Sequence, residues 1–513
     1  MNPLNIMKNF KINKLVLMLL IIGLVSNTSC KKLLDVDASN LVNEENTWSS
    51  ITDTRAALLG TYGLLRAALA DNNAHWVYGE LRASSFEASS RRDLQAVIEG
   101  NLNAPYALLQ DVSNWRRFYA VINSANLFIE RSGEVLEKDP QYTNLNHDID
   151  VAQMRAIKGF AYFYMVRIWG DVPLWTKSYD GAFPKLPRSE AKAVLNYAEN
   201  ELREASKVLP IRYGIPNAAY LPGLYYGYDN TRWDGTLITS VAANAMLAHI
   251  AALDNRYLDA SVYIDFVINN ASQAGMVYTA VSDLTRIDGF FLNVKASQMF
   301  ALGMSWNRGE SSTSGHIEDL TLAAPLVSKP VPDIFMSASS ILEMFNEPKD
   351  QRFNINANGE VVTPYFTDFM GLRPIFSKIK IIRDGISGTN GSLPIYSSPI
   401  VFSRLEEITL LKAEALAVLG ETENALTTLN DLRYKRNLPD LPSDADLIDE
   451  IFKERKRELL GEGWSWYDLV RYKRIKNNDA AFNNLIATSG IYWPIAQDVI
   501  ISNPEVQQNP YWK

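Results

Sequence analysis

Apolar residues recur along this chain at intervals of three and four, and the stretches that carry them come in neighbouring pairs. Leu405, Ile408, Leu411, Ala415 and Leu419 form one such stripe. Gly420 ends it, because glycine takes a left-handed conformation at little cost. Ala425, Leu426, Leu429 and Leu432 form the next stripe, and Ile448, Ile451, Arg455 and Leu459 a third, with Ser443 placed to cap its start. Earlier in the chain the same spacing predicts helices over 52–69, 115–130, 151–169 and 189–208, the last opened by Ser189 and stopped by Pro210. Residues 237–253 and 257–268 make a helical hairpin joined at Asp254-Asn255. Paired helices of this length are similar to tetratricopeptide-type repeats, in which each pair buries its apolar face against the next. The expected fold class is therefore mainly α: a helical repeat scaffold.

Two zones break the pattern. Residues 211–235 are crowded with Tyr, Pro and Gly, and 277–395 carry little helical spacing beyond 340–345, with short β-ribbons expected near 378–383. Irregular segments this long are usually functional. The expected organisation is an N-terminal helical part (30–210), a loop-rich ligand-facing part (211–400) that contains the hairpin 237–268, and a C-terminal helical part (401–513).

The first residues form an export signal. Lys8, Lys11 and Lys14 precede the apolar run Leu15–Val25, which is too short to span a bilayer comfortably. Small and polar residues lead to Cys30, the only cysteine, which cannot form an internal disulfide. A small residue before a cysteine at this place resembles a bacterial lipoprotein signal (1–29), in which the cysteine is acylated and becomes the new N-terminus. An ordinary secretory signal shares the first two parts. Several acyl chains on one residue give stable anchoring where one chain does not. Removing three lysines leaves 47 basic against 58 acidic residues, a net of −11, which argues against a nucleic-acid partner.

Motifs for catalysis are few. The four histidines, His75, His147, His249 and His316, show no metal-ligand spacing, and His249 lies inside an apolar helix as a packed residue would. Phosphate-cradling loops, dinucleotide fingerprints and nucleophile elbows do not occur, so no cofactor is expected. Glu454, Glu458 and Glu462 share a helix face and invite comparison with a glycosidase acid pair. They alternate with Lys453, Arg455, Lys456 and Arg457, which is the pattern of an ion-paired helix surface, and Glu406, Glu407 and Glu414 read the same way.

The aromatics say more. Tyr225, Tyr226, Tyr228 and Trp233 cluster in the first irregular zone, Trp76 and Tyr78 follow the first helix, and Trp306 stands beside Asn307 and Arg308 in the second zone. Flat rings stack on the C–H faces of sugars while amides and guanidinium groups meet the hydroxyls. These nine residues are the candidate ligand site, and Cys30 the candidate lipid anchor.

Five blocks in order resemble the SusD/RagB family. They are Trp115 to Asn126; Met154-Arg155-Ala156 through Trp169-Gly170-Asp171-Val172-Pro173-Leu174; Arg404-Leu405-Glu406-Glu407 to Ala415 with Asn430-Asp431-Leu432-Arg433; Glu454-Arg455 to Glu462 with Trp466-Tyr467-Asp468; and Trp493-Pro494-Ile495 through Asn509-Pro510-Tyr511. Ala496 replaces a proline usual in the last block. Arg155 and Asp171 belong to the scaffold, at helix ends and turns. The resemblance implies a SusD-like fold and a lipid-anchored binding protein on the outward face of the outer membrane. Its implied partner is a SusC-type TonB-dependent transporter, and its ligand an oligosaccharide or, as in the RagB branch, a peptide. A glycoside hydrolase and a purely structural interaction scaffold remain as readings from other classes.

Overall fold

Ser50 opens the first helix by a reciprocal cap. Its hydroxyl accepts from the Asp53 N–H (3.3 Å) and Asp53 Oδ2 accepts from the Ser50 N–H (2.9 Å). Helix α1, Ile51–Ala70, buries Leu58, Tyr62, Leu65 and Leu69 along one side. The computed structural model describes residues 48–82, 85–215, 223–356, 358–388 and 392–513. Cys30 and the segment read as an export signal lie outside the described residues. Among the described residues, Ser50–Lys513 form one compact unit.

Seven further helices continue the series: α2 (Arg116–Arg131), α3 (Asn144–Trp169), α4 (Ala191–Ser206), α5 (Ser240–Leu253), α6 (Tyr257–Asn270), α7 (Leu405–Val418) and α8 (Thr422–Tyr434). Each packs against the one before it, so α1/α2, α3/α4, α5/α6 and α7/α8 stack as successive pairs. This is the neighbour-on-neighbour packing of a helical repeat array. α3 and α5 lie in the middle, and α5 is buried on every side because alanines let its neighbours approach closely. Helix α9 (Leu447–Glu458) packs on α7 and α8, and α10 (Ser465–Lys476) on α9.

Two expected caps are displaced. Ser189 does not open α4: it bridges to Val172, and the first N–H of the helix, on Ala191, is met by Asp171 Oδ1 at 2.8 Å. Asp171 thus fixes a helix start from twenty residues away, whereas Arg155 joins α3 to α4 through Glu201 (3.2 Å). Ser443 likewise gives way to Asp446, whose carboxylate accepts from the Asp449 N–H. An ionised oxygen is the stronger acceptor at a helix N-terminus.

The long zone before α7 holds short two-stranded ribbons, including Ile382–Asp384 against Ile395–Tyr396 near the expected position. Another, β1 (Phe300–Leu302) against β2 (Ile400–Ser403), is antiparallel with Leu302 opposite Ile400 and Ala301 opposite Val401. All seven of its residues are buried. Since β2 runs directly into α7, this ribbon ties the irregular zone to the helical array. Gly235 O accepts from the Ala301 N–H (2.8 Å), which brings the first irregular zone to the same place.

Candidate functional site

A cleft opens where these three parts meet. Leu59, Tyr62, Gly63 and Arg66, spaced along one face of α1, form one wall. The segment 231–236 forms the second, and 293–310 the third. The volume is about 390 Å³, which suits one or two sugar rings or a short peptide, within the ~300–1,000 Å³ usual for small-ligand pockets. Arg66 pairs with Glu310 at 2.8 Å and donates to Gly303 O at 2.8 Å, while Glu310 also accepts from the Ser305 N–H at 3.0 Å. This cross-link holds α1 to the third wall. Leu59, Trp233, Val294 and Met304 supply apolar lining between the polar groups.

The second wall is held from beneath. The Trp233 indole N–H donates to Tyr225 O (3.0 Å), and the Tyr225 hydroxyl donates to Asp150 Oδ1 on α3. Tyr226 (2.5 Å) and Tyr142 (2.9 Å) donate to Asp150 Oδ2. Burial pushes the Asp150 carboxyl up to about 7, and the three hydroxyls work against that rise. Tyr62, on the cleft wall, joins this polar layer through Gln153 and by accepting from the Ile238 N–H (2.9 Å).

The nine aromatic and polar residues chosen from the sequence fall into three places. Trp306, Asn307 and Arg308 form an exposed 3₁₀ turn, closed by Gly309 at φ 68°; Arg308 lines the cleft and Trp306 is 46% exposed. Tyr228 is 43% exposed and lies under Arg55 (4.9 Å) and Arg232 (5.8 Å), while Trp233 lines the cleft with an otherwise buried ring. Tyr225 is wholly buried and Tyr226 half-buried, both turned to Asp150.

Trp76 and Tyr78 require correction. Both are 3% exposed. The Trp76 indole N–H donates to Gly461 O (3.0 Å), and the Tyr78 hydroxyl donates to Val112 O (2.5 Å) with its ring against Trp169 and Trp493. They hold the core and offer no stacking face to a ligand. In their stead the cleft uses Arg66, Arg232, Asn293 and Glu310, which sequence reasoning passed over. One signal was present: Arg66 is a charge on an α1 face otherwise made of Leu59, Tyr62 and Gly63.

The acidic residues also need correcting. Glu406, Glu407, Glu414, Glu454 and Glu458 are 0% exposed and Glu462 5%. They are ion-paired, as the alternation implied, but in the interior. Glu458 takes Arg404 (2.7 Å), Arg436 (2.7 Å) and Arg352 (3.1 Å); Glu454 takes Arg352 (2.7 Å) and Arg457 (2.7 Å); Glu462 takes Arg404 (2.8 Å) and Lys378 (2.5 Å). Against the upward push of burial, these cations hold Glu454 at about 2 and Glu458 well below the carboxylate range. None of the three is placed to protonate a glycosidic oxygen. His249 is the packed histidine that the sequence suggested, bonded to Glu407 at 3.0 Å and stacked on Trp464.

Known proteins agree with this architecture. The SusD family model matches residues 382–490. SusD-like protein P38 of Formosa agariphila is 27% identical across 98% of this chain and the whole of that protein. A crystal structure of a SusD superfamily protein from Bacteroides thetaiotaomicron is 45% identical, with a TM-score of 0.83 over 91% of this chain and 99% of the other. A SusD homolog from the same organism, 21% identical, shares the fold at a TM-score of 0.73 over 91% of this chain and 99% of its own. An array of stacked helix pairs, a ribbon-rich insertion before the last of them and a 45% identical relative along nearly the whole length place the chain in the SusD/RagB family of nutrient-binding proteins.

Proposed function

We propose that this chain captures an oligosaccharide in the cleft between α1, 231–236 and 293–310, at the cell surface, and passes it to a SusC-type TonB-dependent transporter. The observation that carries the reading is Trp306, a large indole left 46% exposed on a tight turn whose next-but-one residue, Arg308, lines the cleft. Leaving such a ring in water forgoes the gain of burying it, and a flat sugar face is the complement that recovers it. Arg66, Arg232, Asn293 and Glu310 line the cleft beside Arg308 and offer polar partners for the hydroxyls of a bound sugar. Catalysis is not part of the proposal.

The test is binding of the purified protein to a glycan array, followed by calorimetry on the best ligand. Trp306→Ala is expected to weaken that ligand by about 1 kcal/mol or more, roughly fivefold or greater, with an unchanged melting temperature. Equal affinity of parent and variant would move the site elsewhere. Binding of peptides and of no glycan would replace the oligosaccharide by the peptide ligand.

Retention at the surface is assigned to acylation of Cys30. Cells expressing the protein and fed a labelled fatty acid should yield labelled protein in the outer-membrane fraction, and Cys30→Ser should carry no label. Label on the serine variant would end the anchor proposal. Among the described residues no helix is long and apolar enough to cross a membrane.

A further inference from the structure

Charge along the cleft is one-sided. Three guanidinium groups line it, those of Arg66, Arg232 and Arg308, against the single carboxylate of Glu310, although the chain as a whole carries a net charge of −8. Glu310 is taken up by Arg66 at 2.8 Å. The side chains of Arg232 and Arg308 have no hydrogen-bonded or ion-paired partner among the described residues. The acids nearest to Arg232 in sequence are committed elsewhere. Asp234 accepts from Arg212 Nε (2.9 Å), and Asp229 caps a short helical turn by accepting from the Thr231 N–H (3.0 Å). Arg308 is exposed and Arg232 half-buried, so a ligand in the cleft can reach both.

A further cation stands beside them. Arg55 lies on α1 one turn before Leu59, with its Cζ 4.9 Å from the centroid of the exposed Tyr228 ring, and Arg232 approaches the same ring at 5.8 Å. Arg55 also forms no ion pair among the described residues. Recognition of hydroxyls does not call for such an excess, since amides donate to hydroxyls without carrying charge. A neutral sugar settling on Arg232 and Arg308 would strip water from two charges and supply no opposite charge in return. A carboxylate or sulfate answers both the charge and the planar fork of donors.

We infer that the cleft selects an acidic oligosaccharide, one whose carboxylate or sulfate groups are met by Arg232 and Arg308, with Arg55 adding to the positive field at Tyr228. The inference rests on the cleft being the place of glycan capture and narrows the class of glycan. It gives the unanswered arginines a counter-charge that the described residues of the chain do not supply.

A glycan array bearing neutral, uronate-containing and sulfated oligosaccharides, probed with the purified protein, tests this. The acidic classes are expected to bind in preference to neutral glycans of the same backbone, and the class that binds tells carboxylate from sulfate. Calorimetry on the best acidic binder should show affinity falling as sodium chloride rises from about 0.05 to about 0.5 M, because the arginines are open to solvent. Exchange of Arg232 and Arg308 together (Arg232→Gln, Arg308→Gln) is expected to weaken that ligand by roughly 10–100-fold, the loss of charged hydrogen bonds, and to shrink its advantage over the neutral counterpart. Should the double variant fail to fold, Arg308→Gln alone, at an exposed position, carries the comparison with a loss in the same direction. Equal or better binding of the neutral counterparts, still weakened by Trp306→Ala, would overturn the inference and leave the cleft as a sugar site. Undiminished affinity for the acidic glycan in a folded arginine variant would overturn it as well. Binding of no glycan of any class would remove the oligosaccharide reading and this inference together.

Discussion

Glu458→Ala is expected to destabilise the protein by about 3–5 kcal/mol, the cost of removing one partner from a buried ion cluster. Three guanidinium groups converge on this carboxylate, from Arg352 in the irregular zone, Arg404 at the start of α7 and Arg436 just after α8. Deleting it leaves three buried cations with one carboxylate fewer among them and no water to replace it. Equilibrium unfolding in urea, read by tryptophan fluorescence, measures the loss; a change below about 1 kcal/mol would mean that solvent reaches the cluster. Exchange to Gln should fall between, since the amide fills the space but carries no charge.

The same cluster sets an acid limit. Glu454, Glu458 and Glu462 have folded-state values below the ordinary carboxylate value of 4.5. A depressed carboxylate contributes stability that is present above its unfolded value and lost as pH falls through the folded one. Stability from this source should therefore hold above pH 4.5 and decline below it, with Glu454 releasing its share toward about 2. Melting temperatures recorded from pH 7 downward should show the fall in the parent and a shallower one in Glu458→Gln.

Gly463→Ala is the second large effect. Gly463 sits between α9 and α10 at φ 81°, a left-handed conformation that costs an L-residue about 1–2 kcal/mol. A Cβ there would also meet the His75 ring, with Cε1 at 2.8 Å and Cδ2 at 2.9 Å and Nε2 nearer still. Overpacking adds roughly 1–3 kcal/mol, for an expected total of about 2–5 kcal/mol. The ring cannot turn away freely, because its Nε2 meets Glu462 O at 3.1 Å. Thermal unfolding of the variant checks this, and an unchanged melting temperature would show that the His75 contact is not rigid.

Much of the helical array was legible, because its signal is local. The stripe Leu405, Ile408, Leu411, Ala415 gives α7 within the sequence itself, and Gly420 at φ 84° ends it as expected. The interior location of Glu454, Glu458 and Glu462 was not. Alternating acid and base on a helix looks the same in solvent and in a core, and what decides between them is the partners. Those of Glu458 stand 22, 54 and 106 residues away. Trp76 failed for the same reason, since the carbonyl it meets is 385 residues on. The exposure of Trp306 is a local matter, since the tight turn Asn307-Arg308-Gly309 keeps its ring at the surface. The α1 wall was missed because a cleft is a meeting of distant segments, and periodicity describes one segment at a time.

The join between the chain's two ends has a consequence for how the molecule is made. His75, Trp76 and Glu80 grip the 461–463 loop: the two rings through Glu462 O and Gly461 O, and Glu80 by accepting from the Gly463 N–H (2.9 Å). A stack of helix pairs alone can assemble from either end and fray from either end. Here the residues just after α1 cannot complete their polar partners until residue 463 has arrived, just over nine-tenths of the way along. Closing so long a loop is entropically costly, although the cost grows only slowly with length. The segment that follows α1 is therefore completed only when the loop before α10 docks on it, and the two are expected to open together.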